Sequence, residues 1–454
     1  MDKRDIERLG KADRTHIWHP FTQMKEWEEE APLIIESGEG SWLIDVEGKR
    51  YLDGVSSLWV TVHGHKKREL DDAIKAQLGR IAHSTLLGLS NVPSIELAER
   101  LVNIAPSGLT RIFYSDSGST AVEIALKMAF QYRQLKGEKK KTKFIALKEA
   151  YHGDTIGSVS VGGMELFHDI FRPLLFDALR VMSPHCYRCE KGLSYPSCAL
   201  SCLQDVEELM KKRSGEISAM VMEPLIQGAA GMFKHPEGYL KGVRELCSRY
   251  DVHLILDEVA TGFGRTGKMF AAEHEGVAPD LMAVAKGITG GYLPLAATLA
   301  TEEIYEAFKG EFSELKTFFH GHTYTGNPLA CAAAIANMNV FDREGTIENV
   351  KERSVYLAKG LERIGLHKSV GDVRQKGLMA GIELVEEKSS GKPYPFEMRM
   401  GHKVAMEARK GGVIIRPLGN VVVLMPPLSI SEEEIDILID VVYDAIEKVT
   451  VHPS

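Results

Sequence analysis

An α/β fold with a mostly parallel central sheet and a second, smaller α+β domain is predicted by three features of the sequence. Short β-branched apolar runs alternate with helical patterns through the middle of the chain. Two of those runs, Val252–Asp257 and Leu281–Lys286, are almost unbroken and each ends in one ionisable residue, as buried parallel strands do when they deliver chemistry at their carboxyl ends. Beyond about residue 341 the pattern changes to mixed helix and strand.

The elements follow in order. The amino terminus, MDKRDIERLGKADRTH, is charged throughout. Leu33–Glu36 and Trp42–Val46 read as short strands between glycine-bearing turns; too small for a core of their own, they are expected to pack on the carboxyl-terminal domain. Arg111–Ser115, Lys143–Leu147, Ile217–Met222, Val252–Asp257 and Leu281–Lys286 read as the strands of the large sheet, with helices at Ala121–Gln134 and Gly238–Tyr250 between them. Val350–Ile364 reads as a helix, Met379–Leu384 and Val421–Leu424 as strands, and Glu386–Tyr394 as a polar surface loop. Glu432–Val449 reads as a helix opened by a Ser431-x-x-Glu434 capping box. These assignments give an amino-terminal segment over 1–56, a large domain over 57–341 and a small domain over 342–454.

The chain has 454 residues, 44% hydrophobic and 26% charged, which excludes a lone small module. Its net charge of −8 provides no basic surface for a phosphate backbone, so nucleic acid and anionic membranes are not the expected partners. Small molecules and another subunit are. The sequence shows no signal peptide core and no apolar stretch near the ~20 residues that span a bilayer, so a cytoplasmic location is expected. Four of the six cysteines cluster as Cys186, Cys189, Cys198 and Cys202. They could hold a structural zinc, but with only one CxxC pair the preferred reading is a surface excursion of reduced thiols and no metal.

A lysine and an aspartate at neighbouring strand ends point to pyridoxal phosphate, which needs a lysine to hold it covalently and an anion at its ring nitrogen. Taken singly, each residue would be read as half of an ion pair. Ser115-Asp-Ser-Gly118-Ser119-Thr120 supplies a second part: backbone amides and hydroxyls at a helix start, suited to a phosphate. Tyr151, after the next strand, could lie on the cofactor face with Asp154 in support. Lys286 is then the base that moves the α proton, and Asp257 sets the electronics of the ring. Arg416, before a strand, could grip a substrate carboxylate in two-pronged fashion. Gly262-Phe-Gly264-Arg-Thr-Gly267 formally matches a dinucleotide fingerprint, but no helix pattern opens at Gly267, so a nicotinamide dehydrogenase is kept only as a remote alternative. The pairs His63/His65 and His320/His322 lack a third ligand and read as hydrogen-bonding loop residues.

Asp257-Glu-Val-Ala-Thr-Gly-Phe-Gly-Arg-Thr-Gly267, Ala285-Lys286-Gly-Ile-Thr-Gly-Gly and His320-Gly-His-Thr323-Tyr-Thr-Gly-Asn327-Pro resemble the class III pyridoxal phosphate aminotransferases of fold type I, over nearly the whole chain. Within that class, His16-Ile-Trp-His-Pro-Phe-Thr-Gln-Met24, Asp53-Gly-Val-Ser-Ser57 and Arg416-Pro-Leu-Gly-Asn are similar to the branch that forms 7,8-diaminononanoate in biotin biosynthesis. The resemblance implies that Gly118, Ser119, His322 and, from the other subunit, Thr323 bind around the cofactor phosphate, with Tyr151 on the ring, Asp257 at its nitrogen and Lys286 holding it. It implies a homodimer with shared active sites and ping-pong amination of 8-amino-7-oxononanoate, whose carboxylate Arg416 binds, with Phe21, Leu58, Tyr151, Lys286 and Gly321 around the substrate. The best-known members use S-adenosylmethionine as donor. Phe21, Leu58 and Val423 stand where those members carry aromatic or hydroxyl groups, and His322 replaces a proline. A lysine-using branch is similar at these positions, so both donors stay open, as does a broader ω-aminotransferase acting on β-alanine, ornithine or 4-aminobutyrate.

Overall fold

A computed structural model describes residues 1–30 and 32–451. Its centre is a seven-stranded sheet in the order Leu109–Ser115, Ala296–Thr301, Leu281–Val284, His253–Asp257, Ile217–Met222, Lys143–Leu147, Leu179–Val181. Only Ala296–Thr301 runs against the others, pairing antiparallel with both neighbours. Every residue of Ile217–Met222, His253–Asp257 and Leu281–Val284 is buried, which is why these segments read as unbroken apolar runs rather than alternating ones. Because these strands are parallel, Asp257, Lys286 and Glu223 all emerge at one edge of the sheet.

Two larger sheets frame it, beside a small two-stranded one, Ile226–Gln227 with Phe233–Lys234. Val370–Lys376, Met379–Glu387, Val421–Leu424 and Arg416–Leu418 form an antiparallel sheet; the helix Thr346–Gly365 packs on Val370–Lys376 and against the helix Glu432–Val451. The amino-terminal strands Ile35–Glu39, Trp42–Asp45 and Arg50–Asp53 make a meander, and Arg50–Asp53 then pairs parallel with Val413–Ile414 from the far end of the chain. One carboxylate ties the two ends together. Glu434 accepts hydrogen bonds from Ser41 Oγ at 2.8 Å, Trp42 Nε1 at 2.9 Å and the Ser431 amide at 3.1 Å, while the Ser431 hydroxyl caps the Glu434 amide at 3.2 Å. The expected capping box is therefore present, and its acid also serves a long-range contact. Glu434→Ala should lower the unfolding free energy by about 1.5–3 kcal/mol, the range for hydrogen bonds to a charged group, measurable by urea denaturation.

Three expectations are corrected. Glu386–Tyr394 is a short hairpin rather than a loop, since Glu387 pairs with Lys392 and Val385 with Pro393 around a turn closed by Gly391 at φ 66°. The first strand is shifted to Ile35–Glu39. The strand before Lys286 stops at Val284, and the lysine opens a short 3-10 turn, Lys286–Thr289.

Candidate active site

One cavity of about 690 Å³ lies at the carboxyl edge of the large sheet, and Gly118, Ser119, Tyr151, Asp257 and Lys286 all line it. Its size suits a cofactor together with a small substrate. Lys286 has φ 49°, a left-handed conformation that costs a non-glycine residue about 1 kcal/mol or more and is retained where the surroundings over-determine it. The twist turns the amine into the cavity, 4.8 Å from the ring centroid of Trp59. Burial pushes the Lys286 ammonium below the ordinary lysine range, against the opposing pull of Asp257 and Glu223. A proton is thus easier to remove from it than from a surface lysine.

Asp257 is 4% exposed and fixed from two sides. His152 Nδ1 lies 2.7 Å from its Oδ2, and the Val259 amide donates to its Oδ1 at 3.0 Å. The His152 ring nitrogen that faces the carboxylate is the donor, which leaves its buried Nε2 without a partner. Glu223, the residue after Ile217–Met222, accepts from the amides of Gly228 at 2.8 Å and Tyr151 at 3.3 Å. Burial pushes its carboxyl up to about 7.

The helix Gly118–Leu135 points its amino end at the cavity, capped by Ser117, whose Oγ accepts from the Thr120 amide at 3.3 Å. Close packing explains the two glycines here. A Cβ on Gly118 would come within 2.5 Å of Val259, and one on Gly153, which has φ 110°, within 2.4 Å of Ser119. Ser119 Oγ meets Thr155 Oγ1 at 2.8 Å and the Thr155 amide at 3.0 Å, so its hydroxyl is held beside the helix end. Backbone donors, the helix dipole and a hydroxyl converge there, which is an anion site.

The remaining expected residues divide. Arg416 is half-buried, its guanidinium 6.0 Å from the Phe21 ring; burial lowers its pKa while Tyr151 opposes the change. Tyr151 donates to Asp154 at 2.7 Å, and burial raises its phenol. Phe21 and Leu58 are exposed. Leu58 belongs to a strained turn, with Ser56, Ser57 and Trp59 all at positive φ, that seats Trp59 against the lysine. Gly321 and Thr323 are exposed and do not line the cavity, whereas His322 Nδ1 sits 2.8 Å from Asp116 Oδ2 at its rim. Val423, where the resemblance places a substrate-facing position, is fully buried and pairs with Arg416 across adjoining strands. The loop histidines do make hydrogen bonds, His63 to the Asn337 carbonyl and His65 to Asp53. Gly262, Gly264 and Gly267 lie in turns followed only by the four-residue 3-10 turn Ala271–His274, and no α-helix opens at Gly267, so the dinucleotide reading has no structural support.

Trp59, Asp116, His152 and Glu223 were not singled out from the sequence. For Glu223 a signal was present: Ile217–Met222 is a third buried apolar strand followed directly by a carboxylate, the same pattern that marked Asp257.

The profile of the family Aminotransferase class-III matches residues 23–446. The chain belongs to the class-III aminotransferases. A relative from Geobacter sulfurreducens named adenosylmethionine-8-amino-7-oxononanoate aminotransferase is 54% identical over 451 residues, covering 99% of this chain and 100% of its own length. The crystal structure of the enzyme of that name from Methanocaldococcus jannaschii is 50% identical, with a TM-score of 0.93 over 97% of this chain and 99% of the other. An (S)-enantioselective omega-transaminase from Thermomicrobium roseum is 38% identical, with a TM-score of 0.94 over 98% of both chains. The fold is therefore that of the fold type I transaminases, and the cofactor of this aminotransferase is pyridoxal phosphate. The cavity fits it: an amine with no hydrogen-bond acceptor among the described residues, a carboxylate held by His152, and an anion site at a helix end whose close packing requires glycine at 118 and 153.

Glu223 gives a pH dependence to test. Its folded value, about 7, lies above the ordinary 4.5, so the neutral acid is the stabilising form. That contribution is complete below 4.5 and is lost as pH rises through about 7. Glu223→Gln cannot ionise. Its stability relative to wild type should rise across this window, and a constant difference would refute the assignment.

Proposed function

We propose that this aminotransferase aminates 8-amino-7-oxononanoate to 7,8-diaminononanoate, a step of biotin biosynthesis, by ping-pong exchange with an amino donor. The observation that carries this reading is near full-length identity of 48–57% to six relatives whose names state that acceptor. When bound, pyridoxal phosphate supplies the carbonyl that takes up the donor's amine and the conjugated ring that accepts the electrons released with the α proton. Lys286 holds the cofactor, then, freed by the substrate amine, removes and returns that proton through a side chain whose burial favours the neutral form. Asp257, oriented by His152, would meet the ring nitrogen of the bound cofactor. Gly118 and Ser119 bind the phosphate, and Tyr151 lines the ring. Arg416 forms a paired hydrogen bond with the acceptor's carboxylate, with Phe21 beside it, and Leu58 contacts the substrate from the turn that carries Trp59.

The site is completed by a second copy of the chain in this reading, with Thr323 of the partner subunit reaching the phosphate and Gly321 the substrate. The exposed apolar residues Leu87, Phe319 and Tyr324, at 90%, 75% and 60% accessibility, support it. Among the described residues no helix is long and apolar enough to cross a membrane, in keeping with small-molecule substrates in the cytoplasm. Adenosylmethionine, which the relatives' names carry, and lysine are the two donors to compare, because Phe21, Leu58 and Val423 stand where the best-known adenosylmethionine users carry aromatic or hydroxyl groups. Base stacking contributes about 1–3 kcal/mol per ring where measured with nucleic acids.

The deciding assay offers 8-amino-7-oxononanoate, pyruvate and 2-oxoglutarate as acceptors against adenosylmethionine, lysine, β-alanine, ornithine and 4-aminobutyrate as donors. Diaminononanoate formed with adenosylmethionine or lysine is the expected product. Turnover confined to pyruvate or 2-oxoglutarate would instead establish a broader ω-aminotransferase.

A further inference from the structure

The chemistry above leaves one cluster unused, in the segment that runs from the sheet's edge strand, Leu179–Val181, into the first turn of the helix Ser201–Arg213. Cys186, Cys189, Cys198 and Cys202 all line a single void of about 20 Å³. That is room for one water-sized occupant. The other two cysteines, Cys247 and Cys331, are buried in the core well away in sequence, so the convergence is specific to this segment. Two consecutive left-handed residues, Ala199 at φ 47° and Leu200 at φ 56°, shape the chain between Cys198 and Cys202. All six thiols are free.

We propose that these four cysteines form a structural zinc site. Four thiolates satisfy a tetrahedral d¹⁰ cation completely and leave no position for a substrate, so the role is structural and not catalytic. No three of the sulfurs lie within 4.8 Å of one another, whereas Zn–S bonds of about 2.3 Å require sulfurs about 3.8 Å apart; binding therefore rotates the side chains inward. Each bound thiol gives up its proton to solvent, so uptake is favoured as pH rises. Lys191 also lines the void, while its ammonium bonds Asp205 at 2.7 Å and the Ser201 carbonyl at 2.9 Å, placing positive charge near the cluster's net negative one.

A nearby trio, His185, Asp372 and Glu383, has ligand atoms within 4.8 Å of one another but is already neutralised. Arg374 bonds both carboxylates at 2.7 Å, and Arg188 bonds Glu383 at 2.6 Å. Arg188 and Tyr187 lie between Cys186 and Cys189, and the Tyr187 hydroxyl sits where a Cβ on Gly371 would come within 2.4 Å. The cysteine segment is thus docked on the carboxyl-terminal sheet, and the metal would fix that docking surface.

The test is metal analysis of the full-length holoenzyme purified from zinc-supplemented growth. Stoichiometric zinc is expected, released as a mercurial titrates the four thiols. Cobalt exchange should give thiolate charge-transfer and tetrahedral d–d bands. A Cys198→Ser/Cys202→Ser variant should lose the zinc and melt at a lower temperature while retaining the cofactor's visible absorbance. Should that variant fail to fold, the wild-type measurements decide alone. A zinc-free wild type with freely titrating thiols, disulfide-linked peptides from this segment, iron in place of zinc, or zinc retained by the double variant would each overturn the proposal.

Discussion

Lys286→Ala is expected to reduce kcat by at least about 10²–10⁴-fold, the contribution of a positioned proton-transfer group, before its covalent hold on the cofactor is counted. The structure supports a loss of this size because, among the described residues, no other amine lines the cavity. Removing the side chain also leaves the Trp59 ring without its partner 4.8 Å away, but the turn that places both is formed by backbone. The variant should therefore fold, with an unaltered far-ultraviolet spectrum and a changed visible band. Lys286→Arg is the informative control: it keeps the charge, yet a guanidinium neither releases its proton readily nor holds the cofactor, so it should be as inactive as alanine. Turnover by either variant within tenfold of wild type would remove Lys286 from the mechanism.

Asp257→Asn should lower kcat by about 10²–10³-fold, the scale found when one preorganised electrostatic group is removed from a water-excluded site. The amide keeps the side chain's volume, and the Val259 amide can still donate to its oxygen. What changes is the charge, together with the 2.7 Å contact to His152, where a donor then faces whichever amide atom the ring permits. Titrating the variant with pyridoxal phosphate separates weakened binding from slowed turnover, and the comparison is made at saturation. His152→Asn should give a smaller loss in the same direction, since it acts through Asp257. A fully active Asp257→Asn enzyme would mean that the ring nitrogen needs no anion here.

The strands of the large sheet were legible because they are buried on both faces. Ile217–Met222 and Lys143–Leu147 fall where the apolar runs place them, to the residue. Boundaries set by turns were less legible. Lys286 lies two residues beyond its strand because its left-handed φ ends the ladder, and that conformation has no signature in a lysine. The hairpin at Glu387 and Lys392 escaped notice because two edge residues carry too little apolar pattern to distinguish a strand from a polar loop.

By itself the sequence determined the class of chemistry, since a lysine, an aspartate and a glycine-led helix start at strand ends have few other uses together. It also fixed the alternation that makes the sheet. Only the tertiary structure decided which neighbours tune those groups. His152 reaches Asp257 across 105 residues, Trp59 reaches Lys286 from another strained turn, and Glu434 bonds Ser41 and Trp42 from the opposite end of the chain. Sequence patterns report burial and local geometry, which act over a few residues. Pairings between distant residues depend on how parallel strands and two chain termini are brought together, and their free energy exists only once the core that holds them has closed.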